Sequence, residues 1–180
     1  MTFAPIRSER LELRLLTEAD RDWLVAVHAQ ADVGRFIPAG PWTEEIAEAE
    51  FAKRISRQGF DTEEGAVSLV ATHDGTPVAD IVSWFTDREH RVAEIGWAAD
   101  PEHAGQGFVT EAAAALLDHL FDGERMHRVA AQIDPRNEPS MRVAERLGMQ
   151  LEGHLRANDW MRGEWCDTLV YGMLASDRNV

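Results

Sequence analysis

The chain holds one cysteine, Cys166, and one lysine, Lys53, among its 180 residues. A single thiol excludes an internal disulfide and a cysteine-based metal site. No apolar run reaches the roughly 18 residues that would span a bilayer. The opening stretch MTFAPIRSERLELRL lacks a basic region followed by a long apolar one. No secretory signal is therefore expected, and a cytoplasmic protein with no membrane partner is the simplest expectation. Positive charge is also scarce, with 18 Lys and Arg against 32 Asp and Glu and a formal net charge of −14. That balance gives no basic footprint for nucleic acid. It favours cationic partners such as amines through long-range attraction. With only one lysine, arginine supplies nearly all fixed positive charge, and its planar fork suits phosphate.

What is present is ordinary for a globular protein. Hydrophobic residues make up 44%, and the length predicts one domain over residues 1–180. Leu11, Leu13 and Leu15 alternate with polar neighbours as in a strand. Thr17 and Asp20 form a capping-box pair before a helix carrying Trp23, Leu24, Val27 and Ala31 at helical spacing. GRFIPAGP reads as a connector, and Thr43 caps a second helix with Ile46, Phe51 and Ile55 near one face. AVSLVATH and TPVADIVSWF flank Asp74-Gly75, a hairpin signal; RVAEIGWAA continues the meander. FVTEAAAALLDHLFD is the clearest helix, with Val109, Ala113, Leu116, Leu117 and Leu120 as its stripe and Gly123 at its end. A strand (HRVAAQI), a short helix stopped by Gly148 and two final strands turning at Arg162-Gly163 complete the order β α α β β β α β α β β. This order predicts an α/β (α+β) layer, with helices on a mostly antiparallel sheet.

One stretch carries chemistry. DPEHAGQGFVTEA leaves a strand, turns through Gly105 and Gly107, and starts the alanine-rich helix. Glycines permit positive φ and close backbone approach. The first helical amides have no intrahelical partner, and the helix dipole favours an anion there. Amides from Gly105 through Thr110 are thus candidate diphosphate donors. A tight turn into a helix is the alternative for this motif taken alone. Asn137 and Ser140, at the start of the late helix, have capping as their alternative.

Taken together, SERLELRLLTEAD, EIGWAADPEHAGQGFVTEA, NEPSMRVAERLGM and LEGHLRANDWMRGEWCDTLVYGML resemble the GNAT family of acyl-CoA-dependent N-acetyltransferases. The resemblance points most to the branch that acetylates N-terminal alanine or serine of ribosomal proteins. It spans nearly the whole chain and implies a sheet whose central strands splay to admit acetyl-CoA, with helices on both faces. Residues 94–99 would form one lip of the slot, with the backbone of Trp97, Ala98 and Ala99 pairing with the pantetheine arm. Ala104, Gly105, Gln106, Gly107, Phe108, Val109 and Thr110 would take the pyrophosphate. Asn137 would meet the pantetheine arm, with Ser140 near the sulfur.

Three positions depart from the family pattern. Ala104 replaces a polar Gln or Arg, Val109 a small residue, and Ala144 a tyrosine that often serves as general acid. Ser140 is then the nearest candidate for that role. Glu94, an acid in an otherwise apolar strand, is the candidate base, and partial burial would raise its pKa; a solvent-facing acid is the alternative. Phe36, Trp42 and Asp167 are candidate acceptor contacts, with core packing or hairpin support as their alternatives. Cys166 is expected to be a packed thiol, and His119 an ordinary helix residue. His103 lies in the loop; Arg142 and Arg146 either reach a CoA phosphate or form a solvated face. The expectation is an N-acetyltransferase acting on a primary amine, a protein N-terminus first, with no metal and a possible homodimer. A small-amine or aminoglycoside acetyltransferase, or a non-catalytic acyl-CoA-binding module, are the other readings.

Overall fold

The computed structural model describes residues 3–179. Two short strands open it, β1 (Ile6–Arg7) and β2 (Glu12–Leu15), paired antiparallel. Helices α1 (Arg21–Ala29), α2 (Ala31–Gly34) and α3 (Glu44–Ile55) follow. Then come β3 (Gln58–Gly59), β4 (Ala66–His73), β5 (Thr76–Asp87), β6 (Val92–Ala99) and α4 (Phe108–Asp118). The chain ends with β7 (Arg128–Ile133), α5 (Glu138–Arg146), β8 (Gln150–Met161) and β9 (Glu164–Leu174). The sheet order is β1-β2-β4-β5-β6-β7-β9-β8, with β3 beside β4. Every pairing is antiparallel except β6 with β7. The expected mixed, mostly antiparallel sheet is what forms.

Local chemistry sets the joints. Asp74 (φ 48°) and Gly75 (φ 80°) both take positive φ between β4 and β5, the backbone that a two-residue hairpin turn requires. Thr17 donates from its N–H and its hydroxyl to Asp20 Oδ2, and Arg14 grips the same carboxylate through Nη1 and Nη2, each at 2.7 Å. The first helix is shorter than its apolar spacing predicts. It stops at Ala29, Gln30 turns extended (φ −69°, ψ 131°), and Ala31 is exposed. The break lets Gly34 lie against Pro41 so closely that a Cβ would sit 2.3 Å from the Pro41 Cα. β1 and β3, at two residues each, are too short to leave a period in the sequence.

Helices cover both faces. On one face α4 and α5 seal the main core, where Leu13, Leu69, Ile81, Leu116 and Leu120 are fully buried. On the other, α1 and α3 close a smaller core of Leu16, Leu24, Trp42, Ala47, Phe51 and Val70. The strands of the central sheet therefore send alternate residues to two different cores. Among the described residues no helix is long and apolar enough to cross a membrane.

Leu116 joins α4 to the sheet with no exposed surface. Leu116→Ala is expected to cost about 2–5 kcal/mol by lost burial and a residual cavity. Urea denaturation should show a lower midpoint with an unchanged slope.

Candidate active site

The site begins where two strands part. β6 bonds to β7 only through Val92, Ala93 and Glu94, opposite Arg128, Val129 and Ala130. Beyond these pairs β6 keeps β5 on one side, with Ile81 opposite Trp97, Asp80 opposite Ala98 and Ala79 opposite Ala99. Its other edge, and that of β7 from Ala131 on, has no strand partner. Backbone N–H and C=O groups there need a hydrogen-bonding guest.

A cavity of about 950 Å³ fills the gap. It opens toward both faces of the sheet. On the α4 side its wall includes Trp97, Ala99, Ala104, Gly105, Gly107 and Thr110, with Phe108 and Val109 at the start of α4. Ala98, Asn137 and Ser140 also contribute. Gly107 is the N-cap of α4 at φ 81°, and Gly105 has φ 78°. Two left-handed glycines before a helix turn successive amides toward one point, a concavity suited to phosphate oxygens. Asn137 caps α5, its Oδ1 accepting from the Ser140 N–H at 3.2 Å, so capping and cavity wall are the same residue. Arg142 and Arg146 stand exposed at the rim, Arg142 pairing with Glu138 at 3.3 Å.

The 105–107 loop has a brace that no sequence motif announces. Arg10, in the turn before β2, donates from its backbone N–H and its Nε to the two carboxylate oxygens of Glu111, each at 2.7 Å. Its Nη1 donates to the carbonyl of Gln106 at 3.2 Å, and its guanidinium covers the Phe108 ring at 4.8 Å. Ser8 donates to Glu111 as well, at 2.8 Å. Gln106 itself is exposed and outside the cavity wall; its carbonyl, not its side chain, serves the loop. Partial burial pushes the Glu111 carboxyl up, but bonds from Arg10 and Ser8 outweigh it and hold the group below its ordinary value.

On the opposite face lie Val82, Trp84, Gly96, Ala98 and Gln132, with Phe36 on the connector after α2. Glu94 shares this face, opposite Trp84, at the fork of β6 and β7. It is half-buried just outside the cavity wall and accepts a hydrogen bond from Gln132 Nε2 at 2.7 Å. Asp134 and Arg136 pair at the end of β7, Arg136 also reaching Glu164.

Deeper, Asp80 is buried against His28 and Arg54. His28 Nε2 donates to Asp80 Oδ2 at 2.9 Å, and Arg54 Nη1 donates to the same oxygen. Burial alone would raise the Asp80 carboxyl; the Arg54 charge and the His28 bond overcome it and hold the group low.

Some expected contacts fall elsewhere. Trp42 is only 4% exposed and stacks behind His28, ring centroids 4.4 Å apart, in the smaller core rather than in the cavity wall. Asp167 ties the last hairpin, accepting from His154 Nε2 at 2.7 Å and from the Ala157 N–H at 2.8 Å, away from the cavity. Ala144 is buried in the main core and offers no hydroxyl. The chain's one tyrosine, Tyr171, is buried in that core too, outside the cavity wall. Cys166 is a buried thiol whose sulfur accepts from Arg136 at 3.2 Å. His103 lines the cavity mouth, 3.7 Å from Asp100, while His119 packs edge-on against Phe3. No cluster of metal-ligating side chains occurs among the described residues.

Comparison with known proteins decides the class. Residues 10–150 match the acetyltransferase (GNAT) domain family. The chain belongs to that family. It is 31% identical over 174 residues to the uncharacterized N-acetyltransferase YnaD of Bacillus subtilis, covering 97% of this chain and 99% of that one. The crystal structure of a GNAT-family acetyltransferase from Bacillus anthracis superimposes with a TM-score of 0.84 at 29% identity, covering 96% of this chain and 99% of that chain. Escherichia coli ribosomal-protein-serine acetyltransferase is 31% identical over 85 residues, 47% of this chain and 48% of that protein. E. coli spermidine N(1)-acetyltransferase is 24% identical over 157 residues, 86% and 81% of the two chains. The chain is an acetyl-CoA-dependent N-acetyltransferase. The open edge of β6 and the left-handed glycine cradle fit the pantetheine arm and the pyrophosphate of acetyl-CoA.

Two predictions follow from the loop. Gly107→Val puts a β-branched residue at φ 81°. The nearest atom to a new Cβ is Arg10 Nη2 at 3.6 Å, so the penalty is conformational rather than a clash. The Kd for CoA by calorimetry should rise about tenfold or more; an unchanged Kd would contradict the phosphate cradle. Glu111 supplies the second. Its folded pKa is depressed, so its contribution to stability is complete above the unfolded carboxylate value of about 4.3 and disappears as pH falls through the lower folded value. The stability gap between wild type and Glu111→Gln in urea melts should therefore narrow from pH 7 toward pH 3.

Proposed function

We propose that this acetyltransferase acts on a protein N-terminal amine, and that Glu94, Ser140 and the β6 backbone carry the chemistry. The supporting observation is the slot itself, which meets the glycine cradle on one face and a separate, mostly apolar opening on the other, with Gln132 at its wall and Asp80 deeper. A small polyamine is the second reading, favoured by the full-length similarity to spermidine N(1)-acetyltransferase. The similarity to ribosomal-protein-serine acetyltransferase supports the first.

Acetyl-CoA supplies an acetyl group already activated as a thioester. What remains for the protein is alignment, oxyanion support and proton removal. Successive amides of a strand point to opposite edges, so one of Trp97 and Ala98 offers its N–H to the open side, where it donates to the carbonyl oxygen. Asn137 meets the pantetheine arm, and Trp97, Ala98 and Ala99 pair with it as an added strand would. Glu94 takes the proton of the ammonium. It lies four residues along β6 from Ala98, about 13 Å at strand rise, so the proton reaches it along a chain of several waters rather than directly. The Ser140 hydroxyl supports the departing thiolate. Phe36 borders the acceptor opening, with Trp42 acting on it only through His28 and Asp167 only through the last hairpin. Action in the cytoplasm belongs to the same proposal. So does a homodimer, supported by the exposed Leu151, Leu155, Trp160 and Trp165 of the β8–β9 edge.

CoA release, followed with a thiol reagent over alanine- and serine-starting peptides and spermidine, tests the acceptor. Tight acetyl-CoA binding without release for any amine would count against catalysis and favour a binding module. Glu94→Gln should lower kcat about 100-fold or more while the Kd for CoA stays within about twofold.

A further inference from the structure

Asp80 is 2% exposed, and its two oxygens have different fates. Oδ2 receives both His28 Nε2 and Arg54 Nη1. Oδ1 is buried and has no hydrogen-bond partner among the described residues. Buried carboxylate oxygens are rarely left unpaired, because the lost hydration is not replaced. His28, Arg54 and Asp80 all line the cavity that holds the slot. The sheet register places Asp80 directly opposite Ala98, whose backbone belongs to the reacting centre. Directly paired Cα atoms in an antiparallel sheet lie about 4.5–5.5 Å apart. Asp80 also projects to the α1 face, with Val82 and Trp84, opposite Ala98, Gly96 and Glu94.

Resting on the proposed transfer to an amine, we infer that Asp80 Oδ1 is the seat of the acceptor's ammonium group. His28 Nε2 holds the carboxylate by Oδ2 and leaves Oδ1 for the acceptor, while Arg54 shares Oδ2 and competes for the same negative charge. Trp42 stacks on His28 and lies under Arg54, at 5.5 Å from its guanidinium, which locks both partners. An N–H of the acceptor completes the set, presenting its nitrogen beside Ala98. The seat takes a single primary ammonium, whether of a peptide or of a polyamine. It assigns Asp80 to acceptor binding and leaves proton removal to Glu94.

The test uses the best-turned-over amine among alanine- and serine-starting peptides and spermidine, together with its isostere lacking the amine as an inhibitor. At saturating acetyl-CoA, Asp80→Asn should raise the KM of the amine about tenfold or more, the scale of one charge-assisted hydrogen bond. The KM for acetyl-CoA and the inhibition constant of the isostere should stay within about twofold. Arg54→Gln removes the competing cation and should lower the KM of the amine, the opposite direction. A merely structural cluster would shift both variants the same way and the isostere with the amine. An unchanged amine KM in Asp80→Asn, an equal loss of isostere binding, or weaker amine binding in Arg54→Gln overturns the assignment. Should Asp80→Asn fail to melt cooperatively, the direction in Arg54→Gln decides. Wild type that releases no CoA with any of these amines overturns the amine reading, and the seat with it. Wild type that turns over while Asp80→Asn keeps its KM overturns the seat alone.

Discussion

Beyond Glu94 and Ala130, two neighbouring strands stop bonding to each other, and the rest of the molecule is arranged around that break. An unpaired strand edge in the middle of a sheet is costly, because its backbone groups are dehydrated without replacement. It is also a template for another extended chain. The molecule holds the edge open by anchoring each strand on its far side. β6 is paired to β5 over most of its length, and β7 to β9 through six residue pairs. α4 and α5 then pack over the gap from one face. The cavity is a consequence of where pairing stops, and the proposed pairing with pantetheine would satisfy what the stopped pairing leaves open.

The anion problem of an acidic chain is solved in the same terms. A net charge of −14 would oppose phosphate if binding depended on total charge. In the proposed cradle it depends on local dipoles instead: amides at the start of α4 would act at contact distance, whereas distant carboxylates are screened within about 8–10 Å. Arginine enters mainly as scaffold. Arg10 neutralises Glu111 and grips the Gln106 carbonyl, fixing the cradle. Glu111 thereby serves the loop through Arg10, although a carboxylate one turn into the helix is an unexpected neighbour for a phosphate site.

Much of this architecture was legible because it is local. The Asp74-Gly75 hairpin, the Gly105 and Gly107 turn and the stripe of α4 each announce themselves within a few residues, through φ requirements or period. The parting of β6 from β7 has no such mark; only the resemblance to a family implied it. Arg10 with Glu111 was invisible, because 101 residues separate them. His28 carries no mark of its own in the sequence, because the apolar spacing of α1 runs on to Ala31, past the point where Gln30 breaks the helix to seat Gly34 on Pro41. Trp42 was readable as an aromatic near the acceptor region, but not as the plate behind His28. Asp80 did leave a signal, an acid inside the apolar run TPVADIVSWF, the same kind that singled out Glu94 in VAEIGWAA.

Those two acids show how one strand pair can serve two reactants. Side chains alternate between faces with period 2. On β6 this sends Ala93, Ile95 and Trp97 into the α4 core and leaves Glu94, Gly96 and Ala98 on the α1 face. The backbone of β6 belongs to neither face; it borders the slot. In the proposed transfer a cofactor paired to that backbone is reached from the α4 side, and the acceptor from the α1 side. Gly96 sits midway, where a Cβ would press Val82 at 3.2 Å, and its missing side chain leaves room between the ends of the acceptor path. In the proposed arrangement Asp80 and Glu94 stand at those two ends, one carboxylate held low by Arg54 and the other bonded to Gln132. Two like charges on such a path need not compete, since the first is paired with Arg54 and the second is separated from it by three intervening residue pairs. The proposed division of labour between holding an amine and taking its proton rests on the pleat and the register, before any particular acceptor is specified.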